Sequence, residues 1–256
     1  MSVLRLENIT MQFGGVIANN NLNIDVENGK IVALIGPNGA GKTTTFNVVT
    51  GVYQPTRGNV YYNGEKINGL LPDRITKKGI ARTFQNIRLF SNLTVLENIL
   101  IANHLHVKSS FLSSTVRMPW ARNEEKAMRE KSEMLLNKLG LLHLKNEISS
   151  SLPYGEQRKL EIARALATDA NLLLLDEPAA GMNPSETEQL ADFIHSIRDE
   201  FNLTIFMIEH HMDLVMKISD KIYVLDFGQL IAEGTAEEVK NNSKVIEAYL
   251  GVEEDA

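Results

Sequence analysis

Hydrophobic and polar residues follow two different patterns near the start of the chain. Residues 3–9 and 22–26 alternate between apolar and polar side chains, which predicts half-buried strands of an antiparallel sheet. Residues 30–35 instead contain a continuous apolar run rich in β-branched side chains, which is typical of a strand buried on both faces. A glycine-rich turn follows, and a helix is then predicted over residues 42–50, with Gly51 at its C-terminal end.

Helical patterns replace the strand patterns from residue 86 to residue 167. Thr94 and Glu97 match a capping box at the start of a helix, and residues 123–139 predict another helix. The predicted apolar face of that second helix carries Met134, Leu135 and Leu139. Residues 106–122 have no clear period and predict an exposed loop. Residues 86–167 are therefore predicted to form a helical subdomain inserted into the rest of the chain.

Buried strands return in the last third of the sequence, separated by helices. The predicted elements are a strand at 171–175, a helix at 184–200, a strand at 203–208, a helix after His211, and strands at 222–225 and 229–232. Alternation of buried strands and helices predicts an α/β fold with a mixed, mainly parallel sheet that is covered on both faces. Residues 1–256 are thus expected to form one domain, with an antiparallel β subdomain and the helical insert.

Composition narrows the functional classes. The net charge of −6 gives no basic field that would attract nucleic acid, so no nucleic-acid partner is expected. The absence of cysteine excludes disulfides and thiolate metal sites and suits a reducing compartment. The N-terminal residues do not resemble a signal peptide, and the longest apolar runs are too short to span a bilayer. A cytoplasmic protein is expected, and any action on a membrane is expected to require a partner.

A phosphate-binding loop (Walker A motif) is predicted between the strand at 30–35 and the helix at 42–50. The sequence fits G-x-x-x-x-G-K-[ST] in the strand-to-helix context that this pattern requires, which leaves a chance glycine-rich turn as a weak alternative. Backbone N–H groups of such a loop converge on phosphate oxygens. Lys42 can reach the β- and γ-phosphates of a nucleotide, and the Thr43 hydroxyl can bind Mg²⁺. The candidate nucleotide-binding residues here are Gly36, Pro37, Asn38, Gly39, Ala40, Gly41, Lys42, Thr43 and Thr44.

Two acidic residues follow the apolar run 172–175, in the manner of a Walker B strand. Ligands bind beyond the carboxyl ends of strands in such sheets, so Asp176 and Glu177 are expected to face the phosphates. Asp176 is predicted to help hold Mg²⁺, and Glu177 to orient or deprotonate the attacking water. Acidic residues after a strand are also common as loop residues or helix caps, and it is the phosphate-binding loop that favours the catalytic interpretation.

A third motif, at residues 151–158, lies between these two and precedes a helical pattern at 159–166. It resembles the signature sequence of ATP-binding cassette (ABC) ATPases, and the resemblance extends over essentially the whole chain. This resemblance implies the ABC ATPase fold, built on a P-loop core, and ATP hydrolysis coupled to membrane transport. It also implies that the signature residues contact ATP held by a second ABC ATPase subunit. Those residues are Leu152, Pro153, Tyr154, Gly155, Glu156 and Gln157.

The resemblance assigns roles to three further residues. Phe13 looks like the aromatic residue that stacks on adenine, and Gln85 like the glutamine that reaches Mg²⁺ and links the core to the helical insert. His210 looks like the histidine that contacts the γ-phosphate, and it joins Glu177 as a candidate catalytic residue. Taken alone, these residues are more often a core aromatic, a surface polar residue and an ordinary histidine at a strand end. Their order around the two stronger motifs favours the functional interpretation.

Two positions depart from the family pattern. The family has Leu-Ser-Gly-Gly-Gln where this chain has residues 152–156, so Pro153 replaces the serine whose hydroxyl contacts the γ-phosphate. Gly155 and the N-terminus of the following helix can still offer N–H groups. Asn183 replaces an aspartate of the D-loop and, being followed by proline, predicts a helix N-cap, which leaves its role across a dimer open.

Several segments resemble the ATPases of high-affinity branched-chain amino acid importers, especially the longer of their two ATPases. These segments are residues 11–15, 80–85, 178–184 and 245–251, together with the Leu-x-Tyr-Gly form of the signature. The resemblance implies a second ABC ATPase subunit, in a homo- or heterodimer, beneath two membrane-spanning permease subunits. A solute-binding protein would deliver the solute to these permeases. It implies a location on the cytoplasmic side of the cell membrane, held there by the permeases.

Other functions fit the sequence less well. The ABC ATPase of the lipopolysaccharide extraction machine has a similar size and tail, and it is the alternative within transport. Cassettes of translation or DNA repair carry a second cassette or long coiled coils, which this sequence lacks. A GTPase needs an Asn-Lys-x-Asp motif, which is absent, and an inactive cassette is disfavoured because Lys42, Asp176, Glu177 and His210 are all present.

Overall fold

The computed structural model describes residues 1–103 and 119–250. The chain divides into two compact units, the first comprising Met1–Gln85 and Asn171–Ala256 and the second comprising Asn86–Ala170. The strands are β1 (Ser2–Phe13), β2 (Val16–Glu27), β3 (Ile31–Ile35), β4 (Arg57–Tyr62), β5 (Glu65–Lys66), β6 (Ile80–Arg82), β7 (Leu172–Asp176), β8 (Thr204–Ile208), β9 (Lys221–Asp226) and β10 (Gln229–Gly234). The α-helices are α1 (Lys42–Val49), α2 (Pro72–Lys77), α3 (Val95–Asn103), α4 (Pro119–Lys138), α5 (Tyr154–Leu166), α6 (Pro184–Phe201), α7 (Met212–Ile218), α8 (Ala236–Lys240) and α9 (Ser243–Leu250). No helix in these two described stretches is long and apolar enough to cross a membrane.

The first unit contains an antiparallel sheet with the strand order β2-β1-β4-β5. The strands β1 and β2 contain the alternating segments 3–9 and 22–26, but both extend well beyond them. Asn8 and Asn21 adopt left-handed φ angles of 51° and 52°, and the pairing register shifts between Leu6 and Ile9. Because a bulge of this kind interrupts the two-residue period, the alternation alone underestimates the length of the hairpin.

The second sheet of this unit has six strands in the order β10-β9-β3-β8-β7-β6. The pairs from β9 to β6 are parallel, and β10 is antiparallel to β9. Every residue of β3, β7 and β8 is buried, as the continuous apolar runs predict for strands covered on both faces. The sequence pattern does not predict β6, because three residues are too few to show a period. The parallel arrangement brings the carboxyl ends of β3, β6, β7 and β8 to one edge of the sheet.

A hydrophobic core lies between the two sheets and includes residues from both. The ring of Phe46, from α1, packs 5.1 Å from that of Phe206, from β8. The hydroxyl of Tyr223 donates to the Asp25 carbonyl and accepts from the Asp25 N–H, both at 3.0 Å. The first contact fixes α1 against β8 of the six-stranded sheet, and the second fixes β9 against β2 of the antiparallel sheet.

The helix α6 begins with the predicted N-cap. The Asn183 side chain accepts a hydrogen bond from the Glu186 N–H at 3.0 Å, and the Glu186 carboxylate accepts one from the Asn183 N–H at 2.9 Å. Pro184 occupies the first turn, where its missing N–H costs nothing. Loss of such a cap costs about 0.5–2 kcal/mol, so the segment before α6 is firmly anchored.

The second unit is helical among its described residues. The predicted capping box opens α3, because the Thr94 hydroxyl accepts from the Glu97 N–H at 3.2 Å and the Glu97 carboxylate accepts from the Thr94 N–H at 2.8 Å. A buried pair joins α3 to α4, in which the Asn103 amide donates to the Ser132 hydroxyl at 2.8 Å. Short 3-10 turns at Leu142–Leu144 and Ser149–Ser151 precede α5.

The helix α4 corrects two predictions. Residues 119–122, placed in a loop by the sequence pattern, belong to α4, since a proline is well tolerated at the first position of a helix. The rest of that predicted loop, up to residue 118, lies outside the described residues. The predicted apolar face is wrong at Met134, which is 62% exposed. Leu139 is buried as predicted, together with Ser132 and Leu136, and the spacing of four and three residues among these marks the inward face.

Candidate nucleotide site

The loop between β3 and α1 requires glycine at two positions. Gly36 has a φ of 147° and Gly41 a φ of 97°, both in the region that other residues rarely adopt. A Cβ on Gly36 would lie 2.0 Å from the Leu225 carbonyl oxygen, and one on Gly41 would lie 2.3 Å from the Ala18 carbonyl oxygen. Gly36 and Gly41 are therefore needed both for the backbone path and for the close approach of neighbouring strands.

The loop also concentrates positive charge and hydrogen-bond donors. Lys42 is buried, and its Nζ donates to the carbonyls of Gly36 at 2.6 Å and Pro37 at 2.8 Å. Burial lowers the pKa of Lys42, and the negative charge of Glu177 acts in the opposite direction. The first helical hydrogen bond joins the Thr45 N–H to the Gly41 carbonyl, so the N–H groups of residues 42–44 have no acceptor one turn back in the helix. This arrangement can bind an anion at the end of α1.

Asp176, at the end of β7, is held in a buried ion pair. An Arg82 guanidinium nitrogen lies 2.6 Å from Asp176 Oδ2, and the two side chains are only 8% and 7% exposed. Arg82 also donates to the Asn47 side chain at 2.7 Å and lies over the rings of Phe46 and Phe84. The sequence motifs do not single out Arg82, because its partner lies 94 positions away on a strand pair that no local pattern reveals.

Three predicted site residues meet next to Asp176. They are Glu177, Gln85 and His210. The Gln85 amide donates to Glu177 Oε2 at 2.6 Å, and His210 Nε2 lies 3.0 Å from Glu177 Oε1. Glu177 has a left-handed φ of 48°, an uncommon backbone conformation that recurs at functional sites. Its N–H bonds to the Ile208 carbonyl at 2.9 Å, so the pairing of β7 with β8 continues to this residue. A carboxylate held in this way can orient a water molecule and accept its proton.

Phe13 lies at the end of β1, next to the hairpin turn. Its side chain is 43% exposed, and its ring meets the Tyr53 ring edge-on, with the ring centres 5.2 Å apart. A core aromatic would be fully covered, whereas this ring keeps an accessible surface on which a planar base can stack. The placement is compatible with the predicted adenine contact.

The signature residues lie in the second unit, at the start of α5. Pro153 is the N-cap residue and its side chain makes no cap hydrogen bond, and the Gln157 N–H bonds to the Pro153 carbonyl at 3.0 Å. The Gln157 amide donates to the Leu152 carbonyl at 2.8 Å, which fixes the turn before the helix. The helix end thus presents N–H donors in place of the serine hydroxyl of the family pattern.

The residues predicted to bind Mg²⁺ are Thr43, Gln85 and Asp176. Among residues 1–103 and 119–250, no group of three or more His, Cys, Asp and Glu side chains could hold a metal ion. Mg²⁺ in P-loop sites binds through one or two protein oxygen ligands together with substrate phosphates and water, so it does not need such a cluster. One carboxylate, one hydroxyl and one amide oxygen are the hard oxygen donors that fit this ion.

The strand, loop and helix around Lys42 and the acidic pair that ends β7 define a P-loop nucleoside triphosphatase. Residues 19–180 match the family model described as ABC transporter, and residues 229–255 match the model described as branched-chain amino acid ATP-binding cassette transporter. The chain therefore belongs to the ABC transporter family, as an ATP-binding ATPase of its branched-chain amino acid branch.

Individual relatives agree with this assignment. The high-affinity branched-chain amino acid transport ATP-binding protein BraF of Pseudomonas aeruginosa is 47% identical over 249 residues, which cover 97% of this chain and 98% of BraF. A crystal structure of the ADP conformation of an ATP-binding cassette of an ABC transporter has a TM-score of 0.86 at 35% identity, covering 98% of this chain and 99% of the other. A dimeric cassette in a post-hydrolysis state, bound to ADP and Pi, has a TM-score of 0.74 at 25% identity and covers 91% of this chain and 98% of its own.

Proposed function

We propose that the chain hydrolyses ATP to power the import of branched-chain amino acids through a membrane-spanning partner. The observation that carries the hydrolytic part is the convergence of Gln85 and His210 on the Glu177 carboxylate, at 2.6 and 3.0 Å. The transported class of solute rests on similarity to BraF, whose name describes branched-chain amino acid transport.

The site residues divide the chemistry among them. Phe13 stacks on the adenine, and the loop at residues 36–44, which includes Lys42, binds the phosphates. Glu177 positions the attacking water and accepts its proton. His210, which lies against Glu177, orients that carboxylate and contacts the γ-phosphate. Thr43, Asp176 and Gln85 would hold Mg²⁺, which supplies charge neutralisation on the phosphate oxygens.

The working form is a head-to-tail dimer of cassettes. The phosphate-binding loop of one chain leaves one side of the γ-phosphate open, and the signature at residues 152–157 places the N-terminus of α5 without a phosphate-binding loop of its own. A twofold pair places each ATP between the loop of one subunit and the signature of the other. The dimeric relative bound to ADP and Pi supports this arrangement. The partner is a second ABC ATPase subunit, of the same or a different kind.

The pair works on the cytoplasmic side of the membrane beneath two permease subunits. A solute-binding protein delivers the solute to these permeases. Opening of the pair after hydrolysis transmits the movement to the permeases. The test is reconstitution of the chain with these partners in vesicles, followed by uptake of labelled leucine and of labelled lysine. ATP-dependent uptake of leucine that is lost with Glu177→Gln supports the proposal, whereas uptake of lysine in preference to leucine refutes the assigned solute.

The segment after Gln85 supplies the expected contact with the permease. The Phe90 side chain is 46% exposed, while the Phe90 backbone is fixed by hydrogen bonds with the Asn98 side chain and by one from the Ser149 hydroxyl. Replacing Leu89 and Phe90 with serine therefore leaves the backbone contacts intact. Loss of an interface residue worth more than roughly 1 kcal/mol should lower leucine uptake about fivefold or more, with basal hydrolysis unchanged.

The matched control for this prediction is Met134→Gln, which changes another exposed apolar side chain of the same unit. It should leave uptake and hydrolysis unchanged. Loss of folding in the Leu89/Phe90 variant, measured by thermal unfolding, would mean that these side chains belong to the core of the unit and contradict the docking role.

The replacement of the family serine by Pro153 gives a further prediction. A serine at this N-cap adds one neutral hydroxyl contact worth about 0.5–1.5 kcal/mol, so Pro153→Ser should change ATP-driven dimerisation by no more than roughly tenfold. Gel filtration in ATP measures the change, and Pro153→Ala separates loss of the proline ring from gain of the hydroxyl. A change of several orders of magnitude would show that the hydroxyl contact is central.

A further inference from the structure

A buried carboxylate joins the two loops that follow β7 and β8. Glu209 directly follows β8, and its side chain is only 1% exposed. Its Oε1 accepts hydrogen bonds from the backbone N–H groups of His210 at 2.9 Å and His211 at 3.1 Å. Its Oε2 accepts from the backbone N–H of Ala179 at 3.2 Å, two residues after Glu177.

This carboxylate continues the join between β7 and β8 beyond the end of the sheet. The last backbone bond between the two segments runs from the Glu177 N–H to the Ile208 carbonyl. Beyond that bond both chains turn away into loops, and Glu209 ties the His210 loop to the Ala179 loop. A buried charge is costly unless it is hydrogen-bonded, and here three backbone donors satisfy it. An apolar side chain at this position would leave those N–H groups unpaired.

The geometry of the reacting groups depends on both loops. His210 Nε2 lies 3.0 Å from Glu177 Oε1, and Glu177 holds a left-handed φ of 48°. A shift of either loop would therefore separate the histidine from the carboxylate. We propose that Glu209 is a positioning residue for ATP hydrolysis, which clamps the His210 loop to the segment after Glu177 and so keeps these two side chains in register. This inference rests on the proposed hydrolytic function of Glu177.

Three substitutions separate the contacts of Glu209. Glu209→Ala removes the whole clamp. Glu209→Gln keeps the shape but leaves a single acceptor oxygen, and its amide nitrogen faces an N–H group. His211→Ala is the matched control, because it removes only the ring contact of His211 Nδ1 with Glu209 Oε1, at 2.8 Å, and leaves the three backbone bonds in place.

The measurement is steady-state hydrolysis with kcat expressed per ATP-binding site, so that a smaller folded fraction does not imitate a slower step. Misplacement of a catalytic group by about 1 Å can cost roughly 100-fold. We therefore expect Glu209→Ala to lower kcat roughly 10–100-fold with little change in KM for ATP, Glu209→Gln to be intermediate, and His211→Ala to resemble the wild type. The ¹⁵N resonances of the His210 imidazole should shift in both Glu209 variants and keep their wild-type values in His211→Ala.

The outcomes distinguish this inference from the proposed function. If Glu177→Gln abolishes hydrolysis while Glu209→Gln keeps the wild-type kcat and His210 resonances, Glu209 is a structural residue and the inference is overturned. If Glu177→Gln itself hydrolyses at the wild-type rate, the proposed function fails first. Should Glu209→Ala not fold, the isosteric Glu209→Gln decides the question by the same two readouts.

Discussion

A Glu177→Gln variant is expected to bind ATP normally but to hydrolyse it roughly 10²–10⁴-fold more slowly, the usual contribution of a positioned base. The amide has the shape of the carboxylate and can still accept a hydrogen bond from Gln85, which lies 2.6 Å from Glu177 Oε2. It cannot accept a proton from the attacking water. Because hydrolysis is the step that lets the two cassettes part, the variant should accumulate as a closed, ATP-bound pair.

Two measurements test this expectation. Phosphate release gives the rate, and gel filtration in ATP and Mg²⁺, alone and with a candidate partner cassette, gives the state of association. Glu233→Gln is the matched control, since it makes the same chemical change at an exposed glutamate paired with Lys221 at 3.2 Å. Hydrolysis at the wild-type rate would show that Glu177 is not the base, and absence of both self-pairing and partner pairing would contradict the dimer.

The sequence predicts those parts of the fold whose signal is local. The buried strands β3 and β7 appear as uninterrupted apolar runs, because a strand covered on both faces has no polar positions. The phosphate-binding loop is predicted for a similar reason, since its glycines and Lys42 lie within one short stretch of the chain, at the fixed spacing of the motif. The hairpin β1–β2 is underestimated because left-handed residues such as Asn8 and Asn21 break its period.

The parts of the site that depend on strand order cannot be predicted from local patterns. Gln85 and Glu177 are 92 positions apart, and they meet only because β6 is the neighbour of β7. The family resemblance predicts that Gln85, Glu177 and His210 share one site, but it does not predict that the Gln85 amide lies on Glu177. Glu209 escapes sequence analysis for a different reason: it acts through the backbone N–H groups of its neighbours, and such contacts have no residue pattern.

Arg82→Met is expected to lower the free energy of unfolding by roughly 3–5 kcal/mol, the usual cost of removing one partner from a buried ion pair. The two side chains are 8% and 7% exposed, so water cannot replace the lost partner of Asp176 without opening the core. Arg5→Met is the matched control, because Arg5 pairs with Glu7 at 3.0 Å in an exposed position. Exposed pairs contribute about 0–1 kcal/mol, so the control should unfold almost as the wild type does.

Urea unfolding gives the free energy of unfolding of Arg82→Met, of Asp176→Asn and of the double variant Arg82→Met/Asp176→Asn. Their comparison separates the stabilisation by the ion pair from the destabilisation by an unpaired buried charge. If the unpaired Asp176 carboxylate is the main cause, the double variant should recover much of the stability, because it contains no uncompensated buried charge. An Arg82→Met variant no less stable than Arg5→Met would contradict a buried, charge-compensating role.

The same ion pair also affects catalysis. Arg82 lies on the strand that leads to Gln85, and it fixes the Asp176 carboxylate, which is proposed to hold Mg²⁺. We therefore expect Arg82→Met to weaken ATP hydrolysis at saturating Mg²⁺ as well, and Arg5→Met to leave it unchanged.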